Sequence, residues 1–198
     1  RLNRILAVLS GINALIVRVR DRDELYREAC RIAVEAGQFV NAYIAMRDPA
    51  LQALTIVASA STDARYLEQS QKALRKIAPA PAPELQGAHD KLFVQRQALV
   101  LNNTEHELPL SLRESTGIID VRALCVLPLV IGEQTTGLFV LRAGEAGFFD
   151  AEEMKLLLEL AGNVAFALDH LDKTAKLDYL AYYDQLTGLA NATLFRER

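Results

Sequence analysis

A chain of 198 residues, 51% hydrophobic and 24% charged, has the length and composition of one globular domain with flanking elements, which excludes disordered and fibrous classes. Its net charge of −3 and isoelectric point near 5.7 supply no broad cationic field, so nucleic acid is not expected as the partner. The longest apolar run, Ala123 to Ile131, is half the length a bilayer needs and contains Pro128, so no membrane span is expected. Two distant cysteines, Cys30 and Cys125, form neither a CxxC unit nor a disulfide framework and fit a reducing cytoplasm.

The first segment places Leu2, Ile5, Leu9, Ile12, Ile16 and Val19 at alternating intervals of three and four, the seam that keeps two helices in contact. A second helix is predicted from Asp21, a capping carboxylate with Glu24 three places on, to Gly37, with Leu25, Ala29, Ile32, Ala33 and Ala36 as its buried stripe. From Phe39 the period becomes two. Val40, Ala42, Ile44 and Met46 share one face and Asn41, Tyr43, Ala45 and Arg47 the other, as in a strand. Asp48-Pro49 forms the turn into an antiparallel partner carrying Leu54, Ile56 and Ala58.

Residues 62–77 read as helix, and the Ala-Pro alternation from Ala78 to Pro83 as extended loop. A short helix over Asp90 to Gln97 leads to a strand at Ala98 to Leu101, and the polar stretch 102–117 forms loop and short helix, with the shape of a lid. Ala123 to Ile131 and Thr135 to Arg142, joined by Gly132-Glu133-Gln134, make a hairpin whose Pro128 belongs at an edge or a bulge. Asp150 and Glu153 repeat the capping arrangement and open a helix that runs to about residue 183. Its Leu157, Ala161, Val164, Leu168, Leu171 and Ala175 keep the three-four spacing, and the register shifts at Asp178.

The stretches DELYREACRIAVEAG (Asp23 to Gly37), ALCVLPLVIGEQTTGLFVL (Ala123 to Leu141) and FFDAEEMKLLLELAGNVAFAL (Phe148 to Leu168) resemble the GAF family of small-molecule-sensing domains. The tail LDYLAYYDQLTGLAN resembles the opening of GGDEF diguanylate cyclase domains at Asp184, Leu186, Thr187, Gly188, Leu189 and Asn191; it departs from the family at Ala192, where an Arg is usual. The resemblance implies an α/β (α+β) fold with a central antiparallel sheet, helices packed on it and long terminal coiled-coil helices. It divides the chain into an N-terminal helix (1–20), a GAF-like sensor (21–150), an exit helix (151–183) and the start of a cyclase domain (184–198). It further implies a bacterial parent converting GTP to cyclic di-GMP with Mg, in some relatives followed by an EAL phosphodiesterase domain. The chain then reads as cut from a longer protein at both ends, with no catalytic residue of its own.

The expected ligand-pocket residues are Tyr43, Phe93, Arg122 and Cys125, set against the plain reading of Cys125 and Cys30 as small buried hydrophobes. Asp178, Asp184, Thr187 and Asn191 are expected to shape the junction with the cyclase domain. A homodimer is expected through Leu2, Ile5, Leu9, Ile12 and Ile16 with Leu157, Val164, Leu168 and Leu171; packing onto their own domain is the alternative use of the same residues. His89, His106 and His170 share no ligand spacing, so no metal site is expected, and no cofactor is detectable beyond an unknown small ligand. A ligand-free dimerising scaffold is the main rival function. A methionine sulfoxide reductase would need a cysteine pair that forms and resolves a disulfide, and Cys30 and Cys125 do not resemble one.

Overall fold

The computed structural model describes residues 2–48, 53–63, 65–77, 81–118 and 120–182. The turn at Pro49, the first part of the Ala-Pro segment (78–80) and the cyclase-like tail with Asp184, Thr187 and Asn191 lie outside the described residues.

Helix α1 (Leu2–Arg18) is followed closely by α2 (Arg22–Gly37), whose first turn is capped as its sequence predicts: the Asp21 carboxylate accepts from the Glu24 N–H at 3.1 Å. The end of α2 has a different cause from the one the glycine suggested. The left-handed residue is Gln38, φ 58°, while a Cβ on Gly37 would stand 2.6 Å from the Phe39 ring and 2.9 Å from Val8. Gly37 is thus required by close packing of α1, α2 and Phe39.

Strands β1 (Asn41–Asp48), β2 (Ala53–Ser61), β3 (Leu99–Leu101), β4 (Ala123–Ile131) and β5 (Gln134–Ala143) form one sheet in the order β2-β1-β5-β4-β3, with every pair antiparallel. The β4–β5 loop is two residues, one shorter than the sequence suggested. Ile131 pairs with Gln134, and Gly132 at φ 62° takes the positive angle that a type II′ turn needs at its first position. Pro128 is accommodated because β3 pairs with β4 only at Leu124, Cys125 and Val126, leaving the Pro128 side of β4 beyond the end of its neighbour. A bulge opposite Ile44 and Ala45 leaves Val57 unpaired. Ala58 therefore joins the opposite core from Leu54 and Ile56, although alternation alone would put all three on one face.

The larger core lies between the sheet and α1, α2 and α7 (Ala151–Tyr182). It contains Ile5, Ile12, Leu25, Ile44, Leu127, Phe139, Leu157 and Val164, all at most 1% exposed. The seam of α1 is consequently used inside the chain: Ile5, Leu9 and Ile12 are buried in the same core as Leu157, Val164 and Leu168. These six cannot also face a second copy, which corrects their assignment as dimer contacts; Leu2 is exposed and Ile16 and Leu171 are half-buried.

The start of α7 is fixed by reciprocal caps. The Asp150 carboxylate accepts from the Glu153 N–H at 2.8 Å, and Glu153 accepts from the Asp150 N–H at 3.1 Å. The Arg4 guanidinium reaches Glu153 at 3.1 Å and the Phe148 carbonyl at 2.9 Å while lying 3.3 Å from the Phe148 ring centroid.

The opposite sheet face is covered by α3 (Arg65–Ile77), a 3-10 turn at Pro83–Leu85, α4 (Gln86–His89) running into a π-turn at Asp90–Val94, α5 (Thr104–Glu107) and α6 (Leu110–Thr116). The π-turn ends the helix before the predicted Gln97. Thr104 anchors the lid-like stretch by donating to the Val121 carbonyl. Gly117, at φ 67°, ends α6 where a Cβ would meet the Gln69 side chain at 2.9 Å.

Candidate functional site

Alternation along three adjacent strands creates the floor of a cavity. Tyr43 of β1, Leu124 and Val126 of β4, and Leu138, Val140 and Arg142 of β5 point to the sheet face away from α1 and α7. Ala73 and Leu74 of α3, Leu85 and Ala88, and Leu108 and Leu112 around α6 close over them. The cavity volume is about 140 Å³. Its walls are almost wholly aliphatic, and its polar groups come mainly from one side.

That side is a buried polar chain. Asn41, fully buried, donates to the Ala60 carbonyl at 3.1 Å, and its Oδ1 lies 3.4 Å from the Ser70 hydroxyl, which donates to the Tyr66 carbonyl at 2.7 Å. The Tyr43 hydroxyl interacts with Arg142 and Ser70, and burial pushes its pKa up against the opposing influence of the Arg142 charge. The Arg142 guanidinium lies 5.4 Å from the Tyr43 ring centroid. Arg142 is 1% exposed, and its Nε and Nη1 atoms have no hydrogen-bond partner.

Of the four residues expected in a pocket, the structure brings Tyr43 to the cavity and places the other three elsewhere. Cys125 faces the opposite side of the sheet, its Sγ 3.8 Å from Met154 Sδ; its neighbours Leu124 and Val126 take the cavity positions. Burial pushes the Cys125 thiol well up and the Cys30 thiol to about 12, and neither cysteine is in a disulfide. Phe93 packs beside His89, ring centroids 4.9 Å apart, with the Arg47 guanidinium over the Phe93 ring at 5.4 Å from its centroid. Arg122 is exposed enough to pair with Glu105 at the surface. The arginine that sequence reasoning missed is Arg142, and its signal was present: it is a single charge inside the apolar run Gly137 to Ala143, in phase with Leu138 and Val140.

Asp178, the expected register break, is exposed on α7. The last buried residue of α7 is Leu168, and residues 172–179 are all exposed, so the helix leaves the domain and continues beyond it. Phe166, 71% exposed beside the His170 ring at 6.5 Å, and Leu177, 66% exposed, are large apolar groups at the surface of the described residues. Among the described residues no cluster of three or more His, Cys, Asp and Glu side chains is placed to hold a metal ion, and no helix is long and apolar enough to cross a membrane.

Residues 19–169 match the GAF domain family, and the chain belongs to that family of regulatory sensor domains. Among solved structures it is similar to the GAF domain of a phosphoenolpyruvate-protein phosphotransferase from Coxiella burnetii. The two share 14% identity at a TM-score of 0.65, with 89% of this chain and 99% of that one covered. It is also similar to the free methionine-R-sulfoxide reductase of Neisseria meningitidis, solved with its substrate (15% identity, TM-score 0.65, coverage 86% and 91%). A third is the GAF domain/HD domain protein of Geobacter sulfurreducens, at 18% identity, TM-score 0.59, and coverage of 83% and 98%. At these identities the likeness is one of fold. A comparison with the curated proteins gave no match.

Proposed function

We propose that this chain is the ligand-sensing and dimerising region of a cyclic-di-GMP signalling protein, in which occupancy of the cavity beneath the sheet alters how two α7 helices pair. The observation that carries this reading is the course of α7. It begins at the Asp150–Glu153 capping box, is buried in the core as far as Leu168, keeps Leu171 half-buried and then exposes residues 172–179, shortly before the cyclase-like sequence that begins at Asp184. A displacement of the sheet is thereby felt along a stiff rod.

The exposed Phe166 and Leu177, together with the half-buried Leu171, supply the apolar surface for a second copy. The shift of register at Asp178 permits two pairings of similar energy, and a ligand biases them by its differential affinity. A cyclase domain following this helix would use GTP and Mg, with Asp178, Asp184, Thr187 and Asn191 shaping the junction. The scaffold alternative predicts a filled interior, and an open cavity of about 140 Å³ favours the sensor over it.

Deleting four residues, 176–179, in the full-length protein removes slightly more than one helical turn, since a turn holds 3.6 residues, which leaves a net rotation of about 40° and shortens the rod by about 6 Å. Cyclic di-GMP output measured from GTP is expected to change at least severalfold. Output equal to that of the parent protein contradicts a register mechanism.

A further inference from the structure

We infer that the cavity selects a small carboxylate with an apolar body, held through Arg142; this rests on the cavity being the sensing site. A guanidinium stays charged at any physiological pH, and burying that charge without a counter-charge is strongly unfavourable. Arg142 is 1% exposed, and two of its nitrogens have no partner although its Tyr43 contact holds it in place. Among the described residues no carboxylate forms an ion pair with it. The other charged residue of the lining, Glu84, is exposed and belongs to the rim side formed by the 3-10 turn.

Apart from Tyr43 and Thr116, whose hydroxyl donates to the Leu112 carbonyl at 2.7 Å, the remaining walls are Leu, Val, Ile and Ala side chains from both layers. These walls offer a ligand's body dispersion contacts and no charge, so the counter-charge comes from the ligand's own anionic group. Arg meets a planar carboxylate through charge-assisted N–H bonds that are about twice as strong as neutral ones. Size sets the rest. An apolar cavity of about 150 Å³ accommodates a benzene molecule, so about 140 Å³ with a polar end suits a compact aromatic or branched monocarboxylate and excludes a nucleotide.

Benzoate and its uncharged isostere benzamide are suitable probes, titrated calorimetrically and by NMR into the intact 198-residue chain. Benzoate is expected to bind at least about tenfold more tightly, as a buried charge-assisted pair requires, and to shift the side-chain Nε–Hε resonance of Arg142. Arg142→Met is expected to abolish the preference. Should that variant not fold, the wild-type Nε–Hε shift decides alone. Benzamide binding as tightly as benzoate, with cavity-lining amides shifting for both, overturns the carboxylate assignment and leaves the sensor reading standing. No shift of those amides by either probe or by benzene overturns both.

Discussion

Cys30 and Cys125 show how far a residue's surroundings override its chemistry. Each thiol is enclosed by apolar groups, which disfavour the thiolate, and Cys30 also lies 3.7 Å from the Ala58 carbonyl. Reaction with a disulfide reagent near neutral pH is therefore expected only after unfolding. The same burial makes stability pH-dependent. The folded state keeps the Cys30 proton from the ordinary value of 9.0 up to about 12 and, again through burial, the Tyr26 proton from 10.0 up to about 12. Their contribution is complete below about pH 9, and each is lost as pH rises from its ordinary value toward 12, by up to about 1.4 kcal/mol per pH unit. Urea unfolding at about pH 7, 9 and 10.5 should show the fall, and Cys30→Ala should lessen it, Tyr26 and Cys125 supplying the rest; stability constant above pH 9 contradicts it. Tyr43 was legible as a cavity residue because it sits in a clear two-residue period. Cys125 was misplaced by one position, which on a strand means the other face.

At the scale of elements, the starts of α2 and α7 were the most readable features, since Asp21 and Asp150 act through local bonds to residues three places on. Long-range pairings had no such signal. Nothing in the spacing of Arg4 and Glu153 announces that they meet, yet their pairing ties α1 to the start of α7 with side chains 11% and 1% exposed. Arg4→Met leaves the Glu153 charge buried and is expected to cost about 3 kcal/mol. Adding Glu153→Gln should recover part of that loss, because the remaining amide is neutral. Chemical denaturation of the single and double variants measures both steps, and a cost for Arg4→Met below about 1 kcal/mol contradicts the account. The heptad pattern of α1 was read correctly as a helix–helix seam, but a seam does not say which helix fills it. Here the partners are α2 and α7 of the same chain. The bulge at Val57 was likewise hidden, since one skipped residue leaves the strand's composition unchanged.

Across the whole molecule, the order of elements and the antiparallel sheet followed from alternation, turns and caps, while the covering layer from residue 65 to 118 was harder to read. Its short helices draw their stability from the cavity walls and sheet they cover more than from their own periodicity. That layer and the sheet line the cavity, and α7 packs on the sheet's other face and extends past it. The central claim is that these two are coupled. A spin label at the exposed position Lys176, introduced as Lys176→Cys with the buried native thiols left unlabelled, reports the separation of two α7 helices by double electron–electron resonance. The account predicts a short interchain distance whose distribution shifts when benzoate saturates the cavity. An absent interchain distance, or one unchanged at saturation, contradicts it.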